Sequence, residues 1–293
     1  MIKYKNIAFN YFNSASYMLL NKYNIISYIS NGEFGQVTKA TYNDKSYAIK
    51  CGAKDLIKYE IQIYKQLRAI SNISTIYDVF ETNNKMYMVM DLYTMTLEDY
   101  KLQNCERLNY VNITLTMLGE LIAIIKLIHE NNIIHRDLKP TNICLDTSNK
   151  LYIIDFGLSK MYKSGNIHNN ETQIKSLIGS VNFSSLNVIN LIEPSRRDDI
   201  ESLLYILFYL LLDKSCYSIF TNLDVSNKKN IDILLMFLQD KNNSILNNKS
   251  IDYTTLDKLF KYIRRLKYNQ VPNYDYIIIL LNEISFGYLK IQQ

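Results

Sequence analysis

Residues 132–146 read NIIHRDLKPTNICLD. Between the apolar runs Ile133-Ile134 and Ile143-Cys144-Leu145, the stretch sets an acid (Asp137), a cation (Lys139) and an amide (Asn142). A short strand pair flanking a charged loop accounts for the hydrophobic runs. It does not account for the order of the polar residues. Nearby, LYIIDFGLSK is an apolar strand ending in Asp155-Phe156-Gly157. A carboxylate at the end of a buried strand is costly unless it is paired or meets a cation. Upstream, YAIK ends another strand on Lys50, and Glu60, on the helix that follows, is placed to meet it. Gly32 and Gly35, in ISNGEFGQV, lie between two strand-like runs.

These parts suit phosphoryl transfer, which needs little covalent help from a protein. It needs charge neutralised and reactants held in line. A flexible glycine turn lets backbone approach phosphates, and a lysine oriented by a glutamate fixes them. Asp155 and Asn142 offer hard oxygen ligands of the kind that hold Mg²⁺ together with substrate phosphates. Asp137 can accept or orient the proton of an attacking hydroxyl, and Lys139 can stabilise charge developing on the transferred group.

The surrounding elements must position these residues. YNIISYIS, QVTKATY, KSYAIKC, STIYDVFET and KMYMVMDLY are short, rich in β-branched and aromatic residues, and separated by turn formers such as Asn43-Asp44 and Asn83-Asn84. Between them, 53–70 carries Leu56, Ile57, Glu60, Ile61, Ile63, Tyr64 and Leu67 at helical spacing. A small antiparallel sheet with one packed helix follows. From about residue 95 the texture turns helical, over 109–131, 197–213, 253–266 and 272–285, with polar loops at 163–176 and 241–250. The junction falls near Asp91–Thr96.

The 293 residues can bury a sizeable core, and 48% hydrophobic with 21% charged residues describes a globular chain. Net charge of +5 is spread without a basic block, so no specific nucleic-acid partner is expected. The four cysteines form no C-x-x-C pair and read as reduced core thiols. The run LLYILFYLLL at 203–212 is too short to cross a bilayer, and the N-terminus carries no signal-peptide pattern. A soluble monomer without membrane contact is expected, in the cytoplasm or nucleus, of a host cell if the source is viral.

The ordered set resembles the protein-kinase signature: a Gly-rich loop, a strand lysine, the H-R-D loop and D-F-G. Lys139, two residues after Asp137, is the form of Ser/Thr kinases. GSVNFSSLN (179–187), EPSRRDDIESLLYILFYLL (193–212), EIQIYKQL, MVMDLYTMTLED and YIRRLKYNQVPNYDYI are similar to the casein kinase 1 group, and the likeness spans roughly 23–285. It implies an α+β, bilobal protein-kinase-like fold: a small β-rich N-lobe with one main helix, and a larger α-helical C-lobe. The implied division is an N-terminal extension at 1–22, an N-lobe at 23–91 and a C-lobe at 92–293.

The implied activity is transfer of the γ-phosphate of ATP, with Mg²⁺, to serine or threonine hydroxyls of protein substrates. The resemblance makes Asp137 the catalytic aspartate, with Lys139 on the γ-phosphate and Asn142 and Asp155 on Mg²⁺. It puts Lys50, paired with Glu60, on the ATP phosphates, and Met90 at the gatekeeper position. Asp91 and Tyr93 fall where the hinge meets adenine, and Ile29, Gly32, Gly35, Val37 and Ala48 complete the nucleotide-binding set. Asp199 matches the aspartate that braces the catalytic-loop backbone, and His135 is structural.

The chain departs from the group at Ser30, where the first loop glycine is usual, and at Asn182, where an arginine associated with acidic or phosphorylated substrates is usual. Arg136 and Lys160 remain as a pair able to bind an anion, and Leu204 replaces a helix glycine. The alternative is a catalytically weak pseudokinase acting as a binding scaffold. The retention of Lys50, Glu60, Asp137, Asn142 and Asp155 speaks for activity.

Overall fold

A computed structural model describes residues 22–32, 35–82, 84–107, 109–214, 216, 218, 222, 224, 230–239, 245–246 and 251–290. The expected extension at 1–22 lies outside the described residues except for Lys22. Outside them too are Glu33-Phe34 of the glycine turn, Asn83, and most of the polar stretch 241–250. The chain forms two compact units of mixed α+β structure, the first built on a sheet and the second largely helical.

The first unit comprises the residues up to Thr94 together with Ile154–Gly157. Its strands β1 (Asn24–Gly32), β2 (Gly35–Tyr42), β3 (Lys45–Ala53), β4 (Ile76–Glu81) and β5 (Lys85–Asp91) form one antiparallel sheet in the order β1-β2-β3-β5-β4. Asn43 and Asp44, both at positive φ, make the two-residue turn between β2 and β3. Short polar side chains tolerate that conformation, and the turn matches strand twist. Alternation along the strands gives one face a core of Ala40, Tyr47, Ile49, Tyr87 and Val89, with Tyr23 packed against it.

Helix α1 (Lys54–Leu67) buries Ile57, Glu60, Ile61, Ile63, Tyr64 and Leu67. Full burial of Ile57 and Leu67 contributes roughly 1.5–3 kcal/mol each. Leu56, expected on the same face, is 46% exposed. Its position sits one residue off the buried stripe, on the flank that turns to solvent.

The second unit comprises Met95–Ile153 and the residues from Leu158. Its centre is α3 (Tyr110–Glu130) beside α5 (Arg196–Leu211), α7 (Tyr253–Arg264) and α8 (Tyr274–Lys290), with α2 (Leu97–Asn104), α4 (Leu186–Ile189) and α6 (Ile231–Gln239) around them. α3 is long and apolar enough to cross a membrane, but more than half of its apolar window is buried inside the protein. α5 is buried along almost its whole length, Leu204 included, and starts with a capping box between Ser195 and Asp198. Its C-terminal carbonyls at Tyr209 and Leu212 accept from Lys101 Nζ, the second at 2.7 Å. Burial pulls the Lys101 ammonium down to about 8.

The two short strands flanking the charged loop, β7 (Ile133–Ile134) and β8 (Ile143–Leu145), do not pair with each other. β7 pairs with β10 (Lys160–Met161), while β8 lies between β6 (Met95–Thr96) and β9 (Leu151–Ile153). The loop is thus pinned at its two ends by different partners. The stretch 163–176, expected to be a loop, contains a hairpin of β11 (Lys163–Ser164) and β12 (Ile167–His168) turned by Gly165. Runs of two residues are too short for alternation to reveal.

Candidate active site

In the first unit the sheet register does the gathering. Val37 lies opposite Lys50, Lys50 opposite Met88, and Ala48 opposite Met90, so these side chains share one face. Ile29 falls in an irregularity of β1 between Tyr28 and Ser30, and is half exposed. Gly32 pairs with Gly35, which has φ +144°. A Cβ at Gly35 would stand 2.1 Å from the Cys51 carbonyl oxygen, so only glycine fits.

Lys50 Nζ lies 2.9 and 2.8 Å from the two oxygens of Glu60 and 2.7 Å from Asp155 Oδ1. Burial alone would lower the lysine's pKa, but the two carboxylates hold it above its ordinary value, so it stays charged. Glu60 is 1% exposed, and burial pushes its carboxyl up against the pull of Lys50, with the charge of Asp155 adding to the rise. One cation serving two acids leaves negative charge in excess. Removing Lys50 would strand Glu60 as a buried charge, a loss of about 3–5 kcal/mol.

Asp155 has φ +65°, rare for a non-glycine residue. Its N–H donates to the Tyr64 hydroxyl at 3.1 Å, and Tyr64 meets the buried ring of Phe156 edge-on at 5.0 Å. α1 therefore holds both the strained backbone and the neighbouring ring. At the end of the sheet, Asp91 accepts from Thr75 N at 2.7 Å and from the Tyr77 hydroxyl at 2.8 Å. Tyr93 shares a hydrogen bond with Ser74 at 2.8 Å.

In the second unit, Asp137 is buried with every carboxylate direction engaged. Oδ1 accepts from Ser180 N (2.9 Å) and Ser180 Oγ (2.8 Å). Oδ2 accepts from Lys139 Nζ (2.7 Å) and Asn142 Nδ2 (3.2 Å). Lys139 also donates to Ser180 Oγ at 3.1 Å. Asn142 donates to the Asp137 carbonyl at 2.9 Å, which fixes its amide and leaves the amide oxygen as the group to offer a cation. Gly179, at φ +84°, passes so close that a Cβ would lie 2.4 Å from the Arg136 carbonyl oxygen.

The loop backbone is braced from below. Asp199 accepts from His135 N (2.8 Å), Arg136 N (2.9 Å) and His129 Nε2 (2.9 Å). His129 Nδ1 meets the Tyr274 hydroxyl at 2.7 Å. Burial pushes the imidazole's pKa down, so His129 is neutral, donating to Asp199 and accepting from Tyr274. The brace holds Arg136 at φ +69°. The Arg136 side chain donates to Leu158 O (2.6 Å) and to Glu193 Oε1 (3.1 Å), which Lys160 also reaches at 2.9 Å. The anion held by Arg136 and Lys160 is thus the chain's own Glu193.

Three contributors escape sequence reasoning. Tyr64 stands four residues after Glu60 on one helix face, a spacing that could have flagged it. Ser180 lies beside the glycine whose side chain would collide with the loop, a signal visible only in space. Glu193 gives no local sign of its role.

Oxygen donors for a divalent cation stand in both units, Asp155 in the first and Asn142 in the second. No group of three or more His, Cys, Asp or Glu side chains suited to a metal occurs among the described residues. Each of these oxygens, within its own unit, is of the hard kind that Mg²⁺ takes while completing its shell with water and phosphate.

A strand lysine bound by a helix glutamate, and a braced aspartate with its lysine and asparagine, are the two halves of a protein kinase. The protein kinase domain family matches residues 23–272. A probable casein kinase I homolog of Encephalitozoon cuniculi is 30% identical over 289 residues, covering 92% of this chain and 87% of that protein. The chain belongs to the casein kinase 1 group of protein kinases. Among solved structures, vaccinia related kinase 3 superposes with a TM-score of 0.69 at 17% identity, over 89% of this chain and 86% of that one, a likeness of fold.

Proposed function

We propose that the protein is an active ATP-dependent Ser/Thr protein kinase. The observation that carries this reading is Asp137, a buried carboxylate oriented by Lys139, Asn142 and Ser180 on a loop braced by Asp199. In this reading Asp137 orients the substrate hydroxyl and takes its proton as the oxygen bonds to the γ-phosphorus and the bond to the leaving ADP breaks. Lys139 moves from Asp137 toward the charge on the transferred group. Lys50, held by Glu60, binds ATP phosphates.

Asn142 and Asp155 would hold Mg²⁺, whose charge neutralises the phosphates. Ile29, Gly32, Gly35, Val37, Ala48, Met90, Asp91 and Tyr93 would surround the nucleotide. The reading takes proteins bearing serine or threonine as substrates and a monomer working inside the cell.

The test is transfer of labelled γ-phosphate from ATP–Mg²⁺ to casein and to the protein itself, beside Asp137→Ala and Asp155→Ala. Transfer to serine or threonine that both substitutions abolish is the expected result. No transfer by a wild-type protein that binds ATP would replace this reading with that of a scaffold.

A further inference from the structure

A cavity of about 430 Å³ opens in the second unit, and none of the residues assigned to phosphoryl transfer lines it. Its lining includes His129, Arg196, Tyr162 and Tyr274, all buried, together with the half-buried Lys163 and the exposed Val271. The guanidinium of Arg196 lies 4.7 Å from the centroid of the Tyr162 ring. Nη2 donates to Asn269 O at 2.6 Å and Nη1 to the Tyr162 hydroxyl at 3.3 Å. Its Nε is sealed from solvent and has no partner. Buried cations ordinarily have counter-ions, and buried N–H groups ordinarily have acceptors.

The charges of the lining do not cancel. Lys126 is matched by Asp275 at 3.1 Å. Neither Arg196 nor Lys163 has a carboxylate within ion-pair distance among the described residues, and Glu130 is the one other acid of the lining. Three cations against two acids leave a single positive charge in excess. Two tyrosine rings, Val271 and Pro272 supply flat apolar surface. The volume is at the small end of the range for organic ligands, suited to a body of one or two rings.

We infer that this cavity binds a planar organic monoanion, an aromatic carboxylate or sulfonate. Its acid group sits at Arg196 and Lys163, and its ring packs against Tyr162, Tyr274 and Val271. The occupant also touches the brace of the loop. Tyr274 holds His129, and His129 holds the Asp199 carboxylate that takes the N–H groups of His135 and Arg136. Binding here does not depend on the kinase reading.

The probe is 2-naphthalenesulfonate, titrated into the full chain and followed by histidine side-chain NMR. The sequence contains three histidines, so assignment is direct. The His129 signals are expected to shift saturably, with saturating ATP–Mg²⁺ leaving the titration unchanged. Lys163→Glu and Val271→Asp, each weakening the site, should raise the dissociation constant about tenfold. Val271 is 62% exposed, so its substitution tests the site without threatening the fold. Asp137→Ala should bind as the wild type does, which separates this site from phosphoryl transfer. No saturable shift of His129, displacement by ATP–Mg²⁺, or binding indifferent to both of these lining substitutions, Lys163→Glu and Val271→Asp, would each overturn the inference.

Discussion

Asp199→Ala and Asp199→Asn measure what holds the loop that carries Asp137. Asp199 is 2% exposed and accepts three hydrogen bonds, all shorter than 3 Å. Hydrogen bonds to a charged acceptor contribute about 1.5–3 kcal/mol each and do not simply add. Alanine orphans two backbone N–H groups and the imidazole N–H, so about 4–5 kcal/mol should be lost. Asparagine can keep its oxygen toward His129 and His135 N, but its NH₂ then confronts Arg136 N. Its loss should be about 2–3 kcal/mol.

Urea unfolding gives both numbers without reference to activity. A loss below about 1 kcal/mol for Asp199→Ala would refute the bracing argument. Acid adds a signature. Burial alone would raise the Asp199 carboxyl, but the hydrogen bonds from His129 and His135 N hold it below its ordinary value. A depressed carboxyl stabilises fully above its unfolded pKa and loses that contribution as pH falls through the folded one. The gap between wild type and Asp199→Asn should stay constant from about pH 8 to 5 and narrow below about pH 4.

Gly179→Ala forces a side chain into positive φ and against the Arg136 carbonyl, and should cost about 2–4 kcal/mol in thermal or urea unfolding. A neutral outcome would mean the loop can give way there. Ser180→Ala removes a hydroxyl from both Asp137 and Lys139 but keeps the backbone N–H on Asp137. It should lower kcat about tenfold while stability moves by less than about 1 kcal/mol, and an unchanged kcat would deny Ser180 its positioning role. Burial pushes the Cys144 thiol up to about 12. Cys144 and the buried Cys216 should therefore resist a thiol reagent until the protein unfolds, and fast native labelling of Cys144 would contradict its burial.

The fold was legible where physics is local. Five β-rich runs and one helix with a regular stripe could be read in order, because alternation and helical period survive in the chain as pattern. Leu56 was misplaced because helical spacing fixes a stripe only to within a residue at its edge. The hairpin at 163–168 and the separate partners of β7 and β8 were illegible, since two-residue strands have no period and their pairing is a long-range choice. The residues placed by motif do gather, Lys50 with Glu60 and Asp155, and Asp137 with Lys139 and Asn142. What the sequence hid was support. Ser180 and Glu193 act on residues more than 30 positions away, and nothing in their own neighbourhoods announces it.

Residues 154–157 belong to the first unit although the chain on both sides belongs to the second. A growing polypeptide therefore cannot finish its first unit when residue 94 leaves the ribosome. Lys50 and Glu60 would wait for Asp155, and Tyr64 for Phe156, until residue 157 has been made. A fragment cut at the unit boundary would carry a sheet and helix with an unfilled slot. Restoring it would take the missing peptide rather than a better cut. Evolution, too, is denied the simple exchange of the second unit for a foreign one, because the first takes residues 154–157 from within the second's stretch of gene.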